Sequence, residues 1–305
     1  MKHPSSRREF IKTAAGLTAL AFVSTSFDMK KSTPLLSFST LGCPDWSFEN
    51  ILDFAVKNGY QGIEIRGIKR ELDLPKCPQF SSPENILASR KLVAGKKLVI
   101  TDLGCSAHMH AKDPEERKKQ LDEAKSFIDV AGALGCPYIR VFPNNLPKDQ
   151  EKSETIALIV QALQELGDYA KNKNVTVLME THGELVYADD LENIMRSAAH
   201  SNVGLVWDMI NMWSVTKEPV AQVYPKLKKY IHHTHIKDLK FAGGKEVPAL
   251  MGKGETPVFE AIDLLVADQY KGYFSFEWEK MWNPGIEEPE IALADYAKVM
   301  KQHFK

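Results

Sequence analysis

Short runs of apolar and β-branched residues alternate along the chain with longer stretches in which apolar residues recur at helical spacing. The short runs predict eight strands, at Leu35–Thr40, Gly62–Arg66, Leu98–Leu103, Tyr138–Phe142, Val175–Glu180, Val203–Asp208, Tyr230–Ile236 and Gly272–Glu277. The longer stretches predict eight helices, at Phe48–Lys57, Pro83–Ala94, Pro114–Leu134, Ser153–Lys171, Asp189–Ala199, Pro219–Lys228, Pro257–Asp268 and Pro289–His303. Because strands that alternate with helices pair in parallel through right-handed crossovers, the pattern predicts an α/β protein.

The number of strand–helix units distinguishes two α/β architectures. Eight units in a chain of 305 residues fit a single (β/α)8 TIM barrel and leave no segment for a second domain. The alternative, a doubly wound open sheet, carries a glycine-rich phosphate-binding turn after its first strand. The segment Thr40–Pro44, which ends the first predicted strand, is not such a turn. We therefore predict the barrel.

Composition and charge exclude several classes of protein. With 44% hydrophobic and 26% charged residues, the chain is neither disordered, collagen-like nor a disulfide-rich miniprotein. Its 39 Lys and Arg residues nearly balance its 40 Asp and Glu residues, for a formal net charge of −1. Since nucleic-acid binding depends on a basic surface, we expect no nucleic-acid partner.

The first 26 residues have the pattern of an export signal. A charged segment with paired arginines, Ser6–Lys12, precedes an apolar run at Ala14–Val23, and it resembles the twin-arginine signal that carries folded proteins across the bacterial inner membrane. We therefore predict a signal over residues 1–26 and a periplasmic barrel over residues 27–305, with a net charge of −4. No cysteine follows the run before Cys43, and no later stretch reaches the roughly 18 apolar residues of a membrane span, so we expect no stable membrane anchor.

The four cysteines do not form a recognisable redox or metal motif. They allow three pairings if all are oxidised, and none has Cys-x-x-Cys spacing. Reduced, half-buried thiols are the interpretation we favour for Cys43, Cys77, Cys105 and Cys136.

Four residues with metal-binding side chains stand at the ends of four consecutive predicted strands. They are Glu180, Asp208, His235 and Glu277. In a barrel the carboxyl ends of the strands line the active site, and converging carboxylates repel one another unless a cation lies between them. Any one of these acids alone is as readily explained as a helix cap or an arginine partner. Together they predict one divalent metal ion per chain, of the type Mn²⁺, Co²⁺, Zn²⁺ or Mg²⁺.

The sequence around these residues resembles the xylose isomerase-like barrels, a group of sugar isomerases and epimerases that also includes the endonuclease IV branch. The most specific segments are Leu178–Gly183, Val206–Asn211, His233–Asp238, Gly252–Glu255 and Ser275–Glu279. The resemblance implies that Glu180, Asp208, His235 and Glu277 bind the metal. It also implies proton transfer next to a sugar carbonyl through an enediolate, and we assign the two proton-transferring groups to Glu180 and Glu277.

Further side chains at the predicted barrel mouth are candidates for substrate contact. They are His182, Asn211, Lys237, Glu64, Arg140 and His108. For Glu64, Arg66 and Arg140 the alternative is that they pair with one another inside the barrel. His233 shares the strand parity of His235 but lies one layer deeper, so we expect a core histidine there rather than a second metal ligand.

Two alternatives to the isomerase stay open. A lyase or hydratase of the same family, acting on 3-keto-glycosides, uses the same metal and base, and export favours it because glycosides occur outside the cytoplasm. A non-catalytic sugar-binding barrel is the other alternative, since fold alone does not establish activity. The endonuclease branch is disfavoured by the mature net charge of −4. The expected partner is a small-molecule sugar or keto-glycoside, and homo-oligomer formation is left open.

Overall fold

Eight parallel strands form the centre of the molecule in the computed structural model, which describes residues 34–305. The predicted export signal lies outside the described residues. The barrel strands are β1 (Leu35–Phe38), β2 (Gly62–Ile65), β3 (Val99–His108), β4 (Tyr138–Phe142), β5 (Thr176–Glu180), β6 (Val203–Asp208), β7 (Ile231–Ile236) and β10 (Tyr273–Phe276). Their order is β1-β10-β7-β6-β5-β4-β3-β2, and a parallel bridge between Ser39 and Glu64 joins the two ends of the sheet. The predicted single (β/α)8 TIM barrel is confirmed.

Helices surround the strands and satisfy their own ends with local side chains. They are α1 (Phe48–Asn58), α2 (Pro83–Gly95), α3 (Pro114–Leu134), α4 (Lys152–Ala170), α5 (Ala188–Ala198), α6 (Met209–Thr216), α7 (Val220–Leu227), α8 (Val258–Ala267) and α9 (Pro289–His303). The Asp113 carboxylate accepts hydrogen bonds from the first free backbone N–H groups of α3, and Gly135 ends that helix with a left-handed φ of 73°. Within residues 34–305, none of the helices is long and apolar enough to cross a membrane.

Two elements were not among the predicted strands and helices. Helix α6 begins directly after β6, because the side chain of Asp208 accepts hydrogen bonds from the backbone N–H groups of Ile210 and Asn211. A two-stranded antiparallel hairpin, β8 (Asp238–Ala242) and β9 (Lys245–Ala249), follows β7. It turns at Gly243 and Gly244, both with positive φ, which is the conformation that tight hairpin turns require.

The loop after this hairpin is fixed by one buried carboxylate, that of Asp238 at the start of β8. Asp238 Oδ2 accepts hydrogen bonds from the backbone N–H groups of Gly252 (3.0 Å) and Gly254 (2.8 Å), and its Oδ1 accepts one from Thr256 Oγ1 (2.7 Å). A Cβ atom on Gly254 would lie 2.0 Å from Asp238 Oδ1, so only glycine fits this close approach. The Gly-x-Gly-Glu segment singled out in the sequence is therefore a loop held beside the barrel mouth.

The barrel interior is polar, whereas the space between strands and helices is apolar. Aromatic rings fill part of the outer layer, where Phe276 stacks on Tyr296 with 4.4 Å between ring centroids. Inside the barrel, buried polar side chains occur on most strands: Ser37, Glu64, Asp102, Arg140, Glu180, Asp208, His233, His235 and Ser275. Such a concentration of buried polar groups is costly unless they pair with one another or with a ligand.

The cysteines are all unpaired and fully buried in the part of the chain that the structure describes: Cys43, Cys77, Cys105 and Cys136. The prediction of reduced thiols agrees with this arrangement, although the side chains are buried more deeply than expected. Burial raises the pKa of the Cys77 thiol to about 11, so this sulfur is a poor nucleophile at neutral pH.

Candidate active site

The four residues predicted to bind a metal meet at the carboxyl ends of the strands. Glu180, Asp208 and His235 stand on β5, β6 and β7, and Glu277 directly follows β10, so the four come from neighbouring strands of the barrel. One ligand atom from each lies within 4.8 Å of the others, and all four side chains are buried. Strands far apart in the chain thus bring three carboxylates and one imidazole to a single point.

His235 lies between the three carboxylates. Its Nδ1 is 3.3 Å from Glu180 Oε1, 3.4 Å from Glu277 Oε1 and 4.0 Å from Asp208 Oδ2. Burial lowers the pKa of His235, but the charges of Glu277, Glu64 and Glu180 outweigh it and hold this pKa well above its usual value. In the metal-free protein a proton on the imidazole therefore neutralises part of the carboxylate charge.

The carboxylates respond differently to the same surroundings. Burial raises the pKa of Glu180 and of Glu277, but neighbouring cations outweigh burial in both, and each pKa is lowered overall. Burial dominates for Asp208 and raises its pKa to about 7. A divalent cation stabilises the ionised form of all three acids, and this set of oxygen and imidazole donors fits Mn²⁺, Co²⁺, Zn²⁺ or Mg²⁺.

Lys237 pairs with the carboxylates on the side that faces solvent. Its Nζ donates to Glu277 Oε2 (2.9 Å) and Glu279 Oε1 (2.9 Å) and lies 2.8 Å from Asp208 Oδ2. The charge of Asp208 and the other acids outweighs burial and raises the pKa of this ammonium well above its usual value. The sequence placed Lys237 at the barrel rim, and the structure shows that it also pairs with Asp208, Glu277 and Glu279.

A cavity of about 280 Å³ opens above the cluster. It is lined by Leu41, Arg66, Arg140, Phe142, Glu180, His182, Lys237, Glu277, Glu279 and Trp282. Three of the predicted substrate contacts, His182, Arg140 and Lys237, are therefore in its wall. Asp208 and His235 are not part of the wall, which makes them candidates for binding a metal alone, whereas Glu180 and Glu277 face both the cluster and the cavity.

The other three predicted substrate contacts lie away from this cavity. Asn211 Nδ2 donates instead to Glu180 Oε1 and to the Thr181 carbonyl, both at 3.4 Å. His108 lines a separate recess and stacks its ring on Phe142, with 5.8 Å between centroids. These two residues thus lie outside the cavity wall, and their contact with substrate stays a prediction.

Glu64 does not form the arginine pairs that the sequence offered as the alternative to substrate contact. It is fully buried below the cluster, and it pairs with neither Arg66 nor Arg140. Its Oε2 lies 3.1 Å from Nε2 of both His233 and His235, and it accepts a hydrogen bond from Ser275 Oγ at 3.0 Å. Glu64 therefore orients His235 so that Nδ1 faces the carboxylates. His233 is buried beside Glu64, and because Glu64, His233 and His235 are close enough to hold an ion themselves, its role as a core histidine stays a prediction.

Replacing Glu64 by Gln is expected to weaken divalent-metal binding by about 10- to 100-fold, the usual effect of removing a carboxylate that orients a metal-binding histidine. Glutamine keeps the shape but removes the charge that stabilises the Nε2–H form of His235. Calorimetric titration of metal-stripped protein with Zn²⁺ measures the affinity. Asp263→Asn is the matched control, since it alters an exposed carboxylate–histidine pair with His303 (2.7 Å). Equal affinity of Glu64→Gln and wild type contradicts the orienting role.

Two residues in and below the cavity were missed by the sequence reasoning. Glu279 binds Lys237, and its place two residues after Glu277 on the same strand direction was the available signal. Asp102 interrupts the apolar run of β3 and lies fully buried, with neither carboxylate oxygen hydrogen-bonded to any described residue. Burial, together with the charge of Glu64, raises the pKa of Asp102 to about 8, so this side chain is mostly neutral at pH 7.

A larger cavity of about 450 Å³ lies at the opposite end of the barrel. Its lining includes Val99, Tyr138 and Tyr273, the first residues of β3, β4 and β10. Catalytic groups of α/β barrels occupy the carboxyl ends of the strands, and none of the four cluster residues lines this cavity. The smaller cavity is therefore the candidate active site.

Comparison with known proteins agrees with this geometry. The chain is 23% identical over 228 residues to 3-dehydroshikimate dehydratase of Bacillus anthracis, covering 71% of this chain and 78% of that protein. It is 26% identical over 161 residues to an inosose isomerase of Halalkalibacterium halodurans, covering 52% and 55% of the two chains. A crystal structure of IOLI protein with a bound zinc atom superposes with a TM-score of 0.71 at 19% identity, covering 88% of this chain and 95% of the other. Residues 52–303 match the family model for xylose isomerase-like TIM barrels, and the chain belongs to this family.

Proposed function

We propose that this protein is a divalent-metal-dependent enzyme that moves a proton next to the carbonyl group of a small polyhydroxylated substrate. The observation that carries the proposal is the convergence of Glu180, Asp208, His235 and Glu277 beneath one cavity. The dehydratase and isomerase among the relatives support this class of reaction, and the zinc atom named for IOLI supports a metal at the cluster.

The position of each residue relative to the cavity indicates its role. Asp208 and His235, which lie outside the cavity wall, hold the metal together with Glu180 and Glu277. When bound there, a divalent ion supplies polarisation of the substrate carbonyl, which acidifies the adjacent C–H bond. Of the two glutamates that reach the cavity, one accepts that proton and the other returns a proton to the resulting enediolate. Neighbouring cations lower the pKa of Glu180 and of Glu277, so either carboxylate can begin the cycle as the base.

The same first step leads to isomerisation, epimerisation or elimination. Return of the proton gives an isomer or epimer, whereas departure of a group on the next carbon gives an enone. Elimination is supported by the 3-dehydroshikimate dehydratase among the relatives. We therefore keep a lyase acting on keto-glycosides or related ketones as the second candidate function.

Incubation of metal-loaded protein in D₂O with keto sugars, keto-polyols and 3-keto-glycosides tests the proposal. Deuterium in a product of otherwise unchanged mass is expected for an isomerase or epimerase, and an enone with a freed leaving group is expected for a lyase. Protein stripped with a chelator is the control and should give neither product. Binding of a sugar from the panel without any exchange or elimination contradicts the enzymatic proposal and favours a binding protein.

We also propose that the barrel is exported to the periplasm. Support comes from the sequence of residues 1–26, in which paired Arg7 and Arg8 precede an apolar run and small residues. An exported enzyme would meet non-phosphorylated sugars and glycosides.

A further inference from the structure

Arg66 is a buried cation in the cavity wall without a counter-ion. It directly follows β2 and is only 6% exposed. Its guanidinium donates to two neutral acceptors, Ser106 Oγ at 2.9 Å and the Gly104 carbonyl at 3.4 Å, and it forms no ion pair with a carboxylate of residues 34–305. Since burial of an unpaired charge is strongly unfavourable, this arrangement calls for an explanation.

A neighbouring arginine, Arg140, makes the unpaired state of Arg66 more unfavourable. Arg140 also lines the cavity, but its charge is matched by Glu180, whose Oε2 lies 3.1 Å from Arg140 Nε. A Cβ atom on Gly104 would lie 2.6 Å from Arg66 Cδ and 3.0 Å from Arg140 Nη2, so glycine at this position allows the two arginines to approach each other. Burial, and secondly the charge of Arg140, lower the pKa of Arg66 to about 10. Arg66 nevertheless stays charged at neutral pH.

The acids of the site form no ion pair with Arg66, and the charges of Glu180 and Glu277 offset only part of the effect of burial on its pKa. Glu277 and Glu279 are engaged by Lys237, and Glu180 by Arg140 and His235. The wall thus holds one positive charge for which the described residues supply no direct partner. A single unpaired guanidinium, with its planar pair of donors, matches a carboxylate in charge and in geometry.

We propose that Arg66 binds a carboxylate group of the substrate, so that the reacting ketone or aldehyde is a polyhydroxylated carbonyl acid rather than a neutral sugar. This inference rests on the proposed function, because it assigns one end of the same cavity. The carboxylate lies at Arg66, and the carbonyl with its adjacent C–H bond lies at Glu180 and Glu277. A dianionic phosphate is disfavoured because only one guanidinium in the wall lacks a partner within the described chain.

Matched pairs of compounds test this assignment by binding, without any need for turnover. The probes are D-glucose with D-glucuronate, D-galactose with D-galacturonate, and dihydroxyacetone with hydroxypyruvate, each titrated calorimetrically into metal-loaded protein. In at least one pair the acid is expected to bind about 10- to 100-fold more tightly than its neutral partner, the usual effect of one charged hydrogen-bonded pair. Arg66→Gln is expected to abolish that preference.

Two controls separate binding from structural effects. Arg70→Gln alters an exposed arginine paired with Asp45 and should keep the preference for the acid. Arg66→Met should keep the thermal unfolding midpoint, because no counter-ion loses its partner; a structural arginine would lower it. Acids that bind no better than neutral sugars in all three pairs, or a preference that survives Arg66→Gln, overturn the inference. Absence of both deuterium exchange and elimination with every substrate overturns the proposed function instead.

Discussion

Replacing Glu277 or Glu180 by Gln is expected to reduce kcat by about 10²- to 10⁴-fold, the range that removal of one proton-transferring group produces. Both side chains reach the cavity as well as the metal cluster, so each is placed to exchange a proton with a bound substrate. A carboxamide keeps an oxygen for the metal but accepts no proton. The measurement is incorporation of solvent deuterium into substrate at saturating metal, followed by NMR.

The loss of kcat, compared between variants, distinguishes a role in proton transfer from a general disturbance of the cavity. Glu279→Gln is the matched control, because Glu279 lines the same cavity and binds Lys237 at 2.9 Å but does not belong to the metal cluster. We expect this variant to lose less than about tenfold in kcat, a change much smaller than that for a proton-transferring group. Normal exchange in both Glu180→Gln and Glu277→Gln would falsify the assignment of the proton-transferring pair.

The fold could be predicted because each of its strands and helices has a local pattern of apolar and polar residues. Alternating short apolar runs and amphipathic stretches determined the eight barrel strands to within a few residues, except at β3, which continues to His108. The hairpin β8–β9 was missed because four of its ten residues are charged, half are exposed, and the strands lack the apolar alternation of a half-buried strand. Its one local signal was the Gly243-Gly244 pair.

The residues of the metal cluster could be predicted from their positions at strand ends, but the role of Glu64, which orients His235, could not. Glu180, Asp208, His235 and Glu277 each end an apolar run, so position alone identified them. The role of Glu64 depends on its distance from His235, and 171 positions separate the two residues in the chain. No local sequence pattern predicts that β2 faces β7 across the barrel with the side chains of Glu64 and His235 at the same level. The unpaired state of Arg66 was hidden for the same reason.

Substitution of Asp208 is expected to have the second large effect, because this side chain both caps a helix and faces the metal cluster. Its Oδ1 accepts hydrogen bonds from the backbone N–H groups of Ile210 (3.1 Å) and Asn211 (2.9 Å), and its Oδ2 faces the cluster. Asp208→Ala should therefore remove a metal ligand and a helix cap together. Asp208→Asn should keep the cap and lose only the charge, since asparagine is equally favourable at the start of a helix.

Elemental mass spectrometry of purified protein is expected to give about one divalent ion per wild-type chain, and background levels for Asp208→Ala. Asp208→Asn should also lose metal at moderate ion concentration. The control for the cap is Asp113→Ala, because Asp113 caps α3 through the same pair of backbone positions and lies far from the cluster in the chain. Loss of either cap costs about 1 kcal/mol in the free energy of unfolding. Added Mn²⁺ or Zn²⁺ should therefore raise Tm in wild type and Asp113→Ala, but in neither Asp208 variant. If an Asp208 variant retains one tightly bound ion, the carboxylate cluster does not form the metal site.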